Sequence, residues 1–334
     1  MFHAGPLHSA AVVTAVGSYV PERVLANADL ERLVDTSDEW IVQRTGIRER
    51  RVAREDEFCS DLCIAAARDL SRRFAVDLSD VDYILTATSS PETVFPSMSA
   101  RAQAALGIRA AGAADVQAAC AGFVSALQLA NGLILSGLHR KVLVIGAETL
   151  SKITDYGDRT TCILFGDGAS AFLVEAATPG EPGAFLGSCV ATAGESGRHL
   201  YRTALSPSMD GVPLVASGNI VQNGREVYKW AVSEVSEGAA ALLAACGRTS
   251  DSIDWFAPHN GNVRMLEAIC ERTGIPIEKT LHCLPVYGNT SAASIPLAID
   301  AAFRDGKVRA GDELLLYGFG GGLVQAGLLL RWTL

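Results

Sequence analysis

This chain is written twice. Val81-Asp82-Tyr83-Ile84-Leu85 has the pattern of a buried strand, and Ile253-Asp254-Trp255-Phe256-Ala257 repeats it at an offset of 172 (254 minus 82). Val142–Gly146 (VLVIG) and Leu314–Gly318 (LLLYG) repeat at the same offset (318 minus 146). Between the strands of each pair lies a stretch of small residues, 120–137 in the first half and 289–306 in the second. Laid start to start, these stretches are offset by 169 (289 minus 120) and make Asn289 the counterpart of Cys120. Each half closes on a glycine turn running into an apolar strand: Gly166-Asp167-Gly168 into Ala171–Val174, and Gly320-Gly321-Gly322 into Ala326–Leu330. Short strands alternating with helical segments imply an α/β architecture with largely parallel sheets. The duplication implies two similar halves, 1–180 and 181–334, packed together over shared central helices. A helix from Cys120 would be apolar around most of its circumference, through Phe123, Val124, Leu127, Leu129 and Ala130, as a fully buried helix requires.

The composition permits this. Of 334 residues, 49% are hydrophobic, enough for a large interior. The formal charge of −9 disfavours a nucleic-acid partner. No apolar run is long enough to span a bilayer. Met1–Ser9 lacks a basic region followed by an apolar core, so export is not expected, the cytoplasm is the expected location, and the eight cysteines are expected as free thiols. Cys59 and Cys63, four apart on a predicted helix, have no further metal ligands nearby and read as packing residues.

A few residues bear chemistry. Cys120 follows a strand-like segment and begins a helix, where the dipole and free N–H groups favour a thiolate. A buried small hydrophobe is the competing reading. His259 follows a predicted strand, the place where α/β proteins put their sites; a structural histidine is its alternative. Asn289 begins the second small-residue stretch and reads either as a helix cap or as a functional residue facing Cys120. The glycine triplet 320–322 lets backbone N–H groups approach a developing oxyanion, or simply makes a tight turn. Arg44, Arg48, Arg50, Arg51 and Arg54 cluster after Trp40. A flat base with phosphates would suit that set; a solvated charge run is the alternative.

Taken together, Asp35-Thr36-Ser37-Asp38-Glu39-Trp40-Ile41 with Arg44-Thr45-Gly46-Ile47, Ala119-Cys120-Ala121-Gly122-Phe123, Gly288-Asn289-Thr290-Ser291 and Phe319-Gly320-Gly321-Gly322 resemble bacterial β-ketoacyl-acyl-carrier-protein synthase III. These are the condensing enzymes that start fatty-acid synthesis, and the resemblance covers nearly the whole chain. It implies a thiolase-like fold of layered α-β-α-β-α architecture, a homodimer, and a catalytic triad of Cys120, His259 and Asn289. Acyl-CoA would load the cysteine as a substrate, with no resident cofactor and no metal. Malonyl-acyl-carrier-protein would then decarboxylate and attack. The resemblance further implies an oxyanion hole from Cys120 and Gly321, coenzyme A binding by Trp40, Arg44 and Arg159, and an acyl pocket from Phe165, Phe319 and a partner's Phe95. Lys229 and Arg264 fall where the acidic carrier protein docks. One departure stands out: the family reads His-Gln-Ala-Asn where this chain has His259-Asn260-Gly261-Asn262.

Three other readings fit parts of the pattern. A sibling enzyme of secondary metabolism, or one forming an ester or amide, would share the fold. A cysteine hydrolase also uses Cys, His and Asn in this order, although a duplicated chain speaks against it. A non-catalytic binding protein would have no need of all three residues.

Overall fold

The computed structural model describes residues 2–334; Met1, the first residue of the amino-terminal half, lies outside them. Among the described residues, ten strands build two five-stranded sheets. In chain order they are β1 (His3–Pro6), β2 (Ala11–Tyr19), β3 (Tyr83–Ala87), β4 (Gly112–Val116), β5 (Lys141–Thr149), β6 (Asp167–Ala176), β7 (Phe185–Thr192), β8 (Trp255–Pro258), β9 (Glu313–Gly320) and β10 (Val324–Arg331). The first sheet runs β2-β6-β5-β3-β4 and the second β1-β7-β10-β9-β8.

The order β2-β6-β5-β3 recurs as β7-β10-β9-β8, with the same strand directions. Tyr83 lies beside Val142 in a parallel pair, and Trp255 beside Leu314 in another. The reversed strand of each motif, β6 or β10, is antiparallel to both its neighbours. The sheets are therefore mixed rather than largely parallel. For β9 and β10 the cause is local: the turn between Gly320 and Val324 is too short for a crossover and closes a hairpin. The halves differ at their edges. β4 extends the first sheet in parallel, whereas the matching place in the second holds a single bridge, Phe256 to Thr280. β1, from the beginning of the chain, adds to the second sheet against β7.

Seven helices set the layers: α1 (Asp38–Thr45), α2 (Cys59–Phe74), α3 (Met98–Ala105), α4 (Gly122–Leu135), α5 (Ser236–Ala245), α6 (Val263–Thr273) and α7 (Ser294–Arg304). Helices α2 and α3 cover the outer face of the first sheet over Leu62, Ala66, Leu70, Ile84 and Leu143. Helices α5 and α6 cover the second over Leu242, Ile269, Phe256 and Leu315. Between the sheets lie α4 and α7, packed into the largest apolar cluster with Phe123, Phe172, Leu316 and Trp332. Phe123 and Trp332 each meet Phe172 edge-on, with centroids 5.0 and 5.8 Å away. Such contacts add about 0.5–1.5 kcal/mol each to the burial of the rings. Helix α4 is not buried all round: Leu129 is half exposed on its outer side. An ionic network joins the halves, with Arg304 bonding both Asp69 of α2 (2.6 Å) and Asp300 of α7 (2.9 Å), and Arg73 reaching Asp300 at 2.8 Å. No helix among the described residues is long and apolar enough to cross a membrane.

Candidate active site

Two turns between the sheets define the site. Ala119–Ala121 forms a one-turn 3-10 helix ahead of α4, and Ser291–Ala293 does the same ahead of α7. Each opens on a residue forced to positive φ, Ala119 at 44° and Ser291 at 46°. Such a conformation is uncommon for a residue other than glycine, and packing must hold it. Positions 119 and 291 are 172 apart, the offset of the strands. The structural counterpart of Cys120 is thus Ala292, not Asn289. The offset of 169 arose from aligning the starts of two small-residue stretches whose helices begin at Gly122 and Ser294.

Each turn is seated on a glycine of the opposite half. A side chain at Gly318 would place Cβ 2.7 Å from the Ala121 backbone and 2.9 Å from the Cys120 carbonyl. A side chain at Gly146 would come within 2.6 Å of the Ala292 carbonyl. At Gly320 a Cβ would lie 2.9 Å from Cys120 Sγ, so glycine there keeps the sulfur clear. Gly321, next along, lies beside Ala119 and Leu200.

His259 sits at the end of β8, where its N–H donates to the Tyr317 carbonyl (2.8 Å). Its Nδ1 meets Ser294 Oγ at 2.9 Å. That oxygen also accepts the Asn260 N–H at 3.3 Å; with its hydroxyl proton turned to Nδ1, the imidazole hydrogen lies on Nε2. The ring stands edge-on to Phe319, centroids 5.2 Å apart. Burial pulls its pKa down to about 3, although a bond to the Ser291 main chain favours the charged form. The imidazole is neutral throughout the physiological range.

Asn289 is not a helix cap. Its backbone bridges Phe165, with its N–H on the Leu164 carbonyl (2.9 Å) and its own carbonyl receiving the Gly166 N–H (3.0 Å). Its side-chain oxygen accepts the Ser291 N–H at 2.9 Å, leaving Nδ2 as a donor. Ser291 is the hub of the site. Its hydroxyl lies close to both the Cys120 thiol and the Glu148 carboxyl, its N–H donates to Asn289, and its main chain lies against the His259 ring. Burial pushes the Cys120 thiol up to about 12, outweighing the bonds to it. Burial thus favours a protonated resting sulfur, against the pull of the helix start towards a thiolate.

The remaining expected residues divide. Trp40 on α1 has two guanidinium groups near its ring, Arg44 at 5.4 Å and Arg159 at 4.9 Å from the ring centre. Arg264 joins that rim by donating to the Gln43 carbonyl (2.9 Å). Phe165 and Phe319 are buried beside Asn289 and His259. Lys229 is exposed on the helix Gly224–Trp230, paired with Glu226, and Phe95 is 85% exposed. The arginine run does not form one face. Glu49–Arg51 is a short strand, so alternate residues point opposite ways. Arg50 turns inward, wholly buried, to the Leu25 and Ile163 carbonyls and Asn27, while Arg54 pairs with Asp56 and Glu57. Asn260 also faces inward: its amide donates to the Pro258 carbonyl (2.8 Å) and its oxygen accepts the Cys283 N–H (2.9 Å). At Gly261 a Cβ would sit 3.6 Å from His259 Nε2, an ordinary contact.

Residues 243–332 match the family model described as the C-terminal part of 3-oxoacyl-[acyl-carrier-protein] synthase III, and residues 114–194 match the model of that synthase itself. A β-ketoacyl-[acyl-carrier-protein] synthase III 2 of Halalkalibacterium halodurans is 57% identical over 97% of this chain and 97% of its own length. That of Bacillus subtilis is 55% identical over 97% and 99%. The crystal structure of the β-ketoacyl-[acyl-carrier-protein] synthase III of Thermus thermophilus superposes with a TM-score of 0.91 at 43% identity, covering 96% of this chain and 99% of that one.

Proposed function

This chain belongs to the β-ketoacyl-[acyl-carrier-protein] synthase III family, and from that premise we propose how its buried residues divide the work. The enzyme condenses an acyl-CoA starter with malonyl-acyl-carrier-protein, with loss of CO2, and so initiates fatty-acid synthesis. In our reading Cys120 attacks the starter thioester and carries the acyl group. The N–H groups of Cys120 and Gly321 receive the oxyanion of that step. His259 Nε2 and Asn289 Nδ2 then donate to the malonyl thioester oxygen while charge builds there during decarboxylation, and the carbanion attacks the acyl-cysteine. A neutral imidazole suits this role, because it donates without an ion that would have to be desolvated. Trp40, Arg44 and Arg159 grip coenzyme A by stacking and phosphate pairing. Lys229 and Arg264 receive the carrier protein. In this reading acyl-CoA is a substrate, no bound cofactor takes part, and the enzyme works in the cytoplasm. The exposed tip Val94–Phe95 is covered by a second copy of the chain, whose acyl pocket Phe95 completes.

The observation that supports this reading most is the convergence of Cys120, His259 and Asn289 on Ser291. The test separates half-reactions. Intact mass after exposure to acetyl-CoA and isobutyryl-CoA should show an acyl adduct on the parent and, more slowly, on His259→Ala and Asn289→Ala. Malonyl decarboxylation should fall roughly a hundredfold or more in both variants. Equal loss of loading and decarboxylation in both would contradict the assignment.

A further inference from the structure

Glu148, near the end of β5, has no part in the scheme above, yet it is completely buried. No cation pairs with it among the described residues. Instead it collects donors, the Ser89 N–H at 3.1 Å to each oxygen, Ser90 Oγ at 2.6 Å and Thr88 Oγ1 at 3.4 Å, and the Ala292 main chain and the Ser291 hydroxyl lie close to it. A carboxyl placed this way, one hydroxyl from a nucleophile, is costly to keep unless it does chemistry. The loading step also lacks a base. Burial holds the Cys120 thiol near 12, and His259 faces Ser294 and the Ser291 main chain.

We propose that Glu148 takes the Cys120 proton through the Ser291 hydroxyl and keeps it for the lifetime of the acyl-enzyme. Ser291 touches the reacting sulfur; Glu148 acts through it, as a positioning residue that holds the proton. The proposal rests on the reading of Cys120 as the acyl carrier. On loading, the S–H proton moves to Ser291 Oγ while the Ser291 proton moves to Glu148. The thiolate attacks the acyl carbonyl, the carbon–sulfur bond to coenzyme A breaks, and the departing thiolate takes a proton from solvent. After condensation the cysteine thiolate leaves, and the same proton returns from Glu148 through Ser291. During decarboxylation the carboxyl is thus neutral and does not repel the developing enolate.

The environment fits this role. Burial brings the Glu148 carboxyl up to about 7, so it can accept and return a proton near neutrality. The titratable groups facing it are Cys120, Cys59 from α2, whose thiol is held well above its usual range, and His259 across Ser291.

The scheme moves proton uptake from condensation to loading. Parent enzyme mixed with acetyl-CoA or isobutyryl-CoA alone, in weak buffer at pH 8 with a pH indicator, should take up close to one proton per site acylated, with the adduct counted by intact mass. Glu148→Gln should load roughly a hundredfold more slowly, take up none, and lose the rise of loading rate through about pH 7. Ser291→Ala should likewise lose the uptake, and Glu148→Asp should restore it in part. If Glu148→Gln does not fold, as judged by circular dichroism, the other two variants carry the test. Acylation of the parent without proton uptake overturns this proposal and leaves the assignment of Cys120 standing. Absence of any adduct on the parent overturns both.

Discussion

The turn at Cys120 and the turn at Ala292 share one construction and have opposite contents. Both open on a strained residue, start a central helix, and rest on a glycine from the other half. At the first, the tip is Cys120, the helix begins with Gly122, and Gly320 clears space over the sulfur. At the second, the tip is Ala292, the helix begins with Ser294, and the position equivalent to Gly320 holds Glu148, 172 residues earlier. The strand ends contrast in the same way: Ala87 stands in β3 where His259 follows β8. The duplication thus supplied two identical sockets. In the reading proposed above, one carries the nucleophile and the other gives its polar residues to orienting and protonating groups around it. Function follows from where the halves differ, and stability from where they agree.

The largest effect should come from trying to exchange the tips. Cys120→Ala should lose acyl loading to background on intact mass, whereas Cys59→Ala and Cys283→Ala should load normally. Adding Ala292→Cys to Cys120→Ala should not restore loading, because Glu148 occupies the space that Gly320 leaves open at the first turn. Loading on the thiol introduced at the second turn would show that the two sockets are interchangeable and would break the comparison.

Filling the cleared space should matter next. Gly320→Ala places a methyl 2.9 Å from Cys120 Sγ, well inside contact distance. Loading should fall roughly a hundredfold, as for loss of an oriented attack, while the fold persists by circular dichroism. An unchanged loading rate would mean that Gly320 serves only the turn.

How far the contrast was legible depended on scale. The paired strands were visible because apolar runs such as VLVIG and LLLYG must both lie inside a sheet. The direction of β6 and β10 was not, because pattern alone does not distinguish a hairpin from a crossover. Cys120, His259 and Asn289 stood out by residue type and position. Ser291, Ser294 and Glu148 did not, since each owes its role to groups supplied by distant segments, and a lone serine or glutamate carries no pattern. Carrying the strand offset of 172 into the turns would have paired Ala119 with Ser291 and Glu148 with Gly320. Arg50 misled for a different reason: a run of arginines suggests one charged face, but a strand turns alternate residues inward.

The glycine seats test whether the sockets are mechanically alike. Gly146→Ala and Gly318→Ala each drive Cβ to within 2.6–2.7 Å of backbone in the opposite half. Overpacking of this kind costs about 3 kcal/mol, and denaturant midpoints should fall by similar amounts. Activity should separate the two, with Gly318→Ala losing more acyl loading because it displaces Cys120. Unequal destabilisation beyond about 1 kcal/mol would show that the two turns are not held alike.

The smallest effect concerns the two buried titratable groups on either side of Ser291. Glu148 has its pKa raised from 4.5 to about 7. The stability it contributes is full below pH 4.5 and is lost as pH rises through 7. His259 has its pKa lowered from 6.5 to about 3. Its contribution is full above pH 6.5 and is lost as pH falls towards 3. Between about pH 5 and 6.5 these slopes oppose each other, so the parent should show a nearly flat profile from this pair there. Glu148→Gln removes one slope. Its stability relative to the parent should therefore rise by about 2 kcal/mol from pH 5 to pH 8. His259→Gln should tilt the other way by a similar amount, gaining on the parent as pH falls. Urea titrations of the three proteins at pH 5, 6, 7 and 8 give these differences directly, and other titrating groups cancel in them. A Glu148→Gln difference that is level across this range would mean that the carboxyl does not change protonation on unfolding, and the proton could not rest there between the half-reactions.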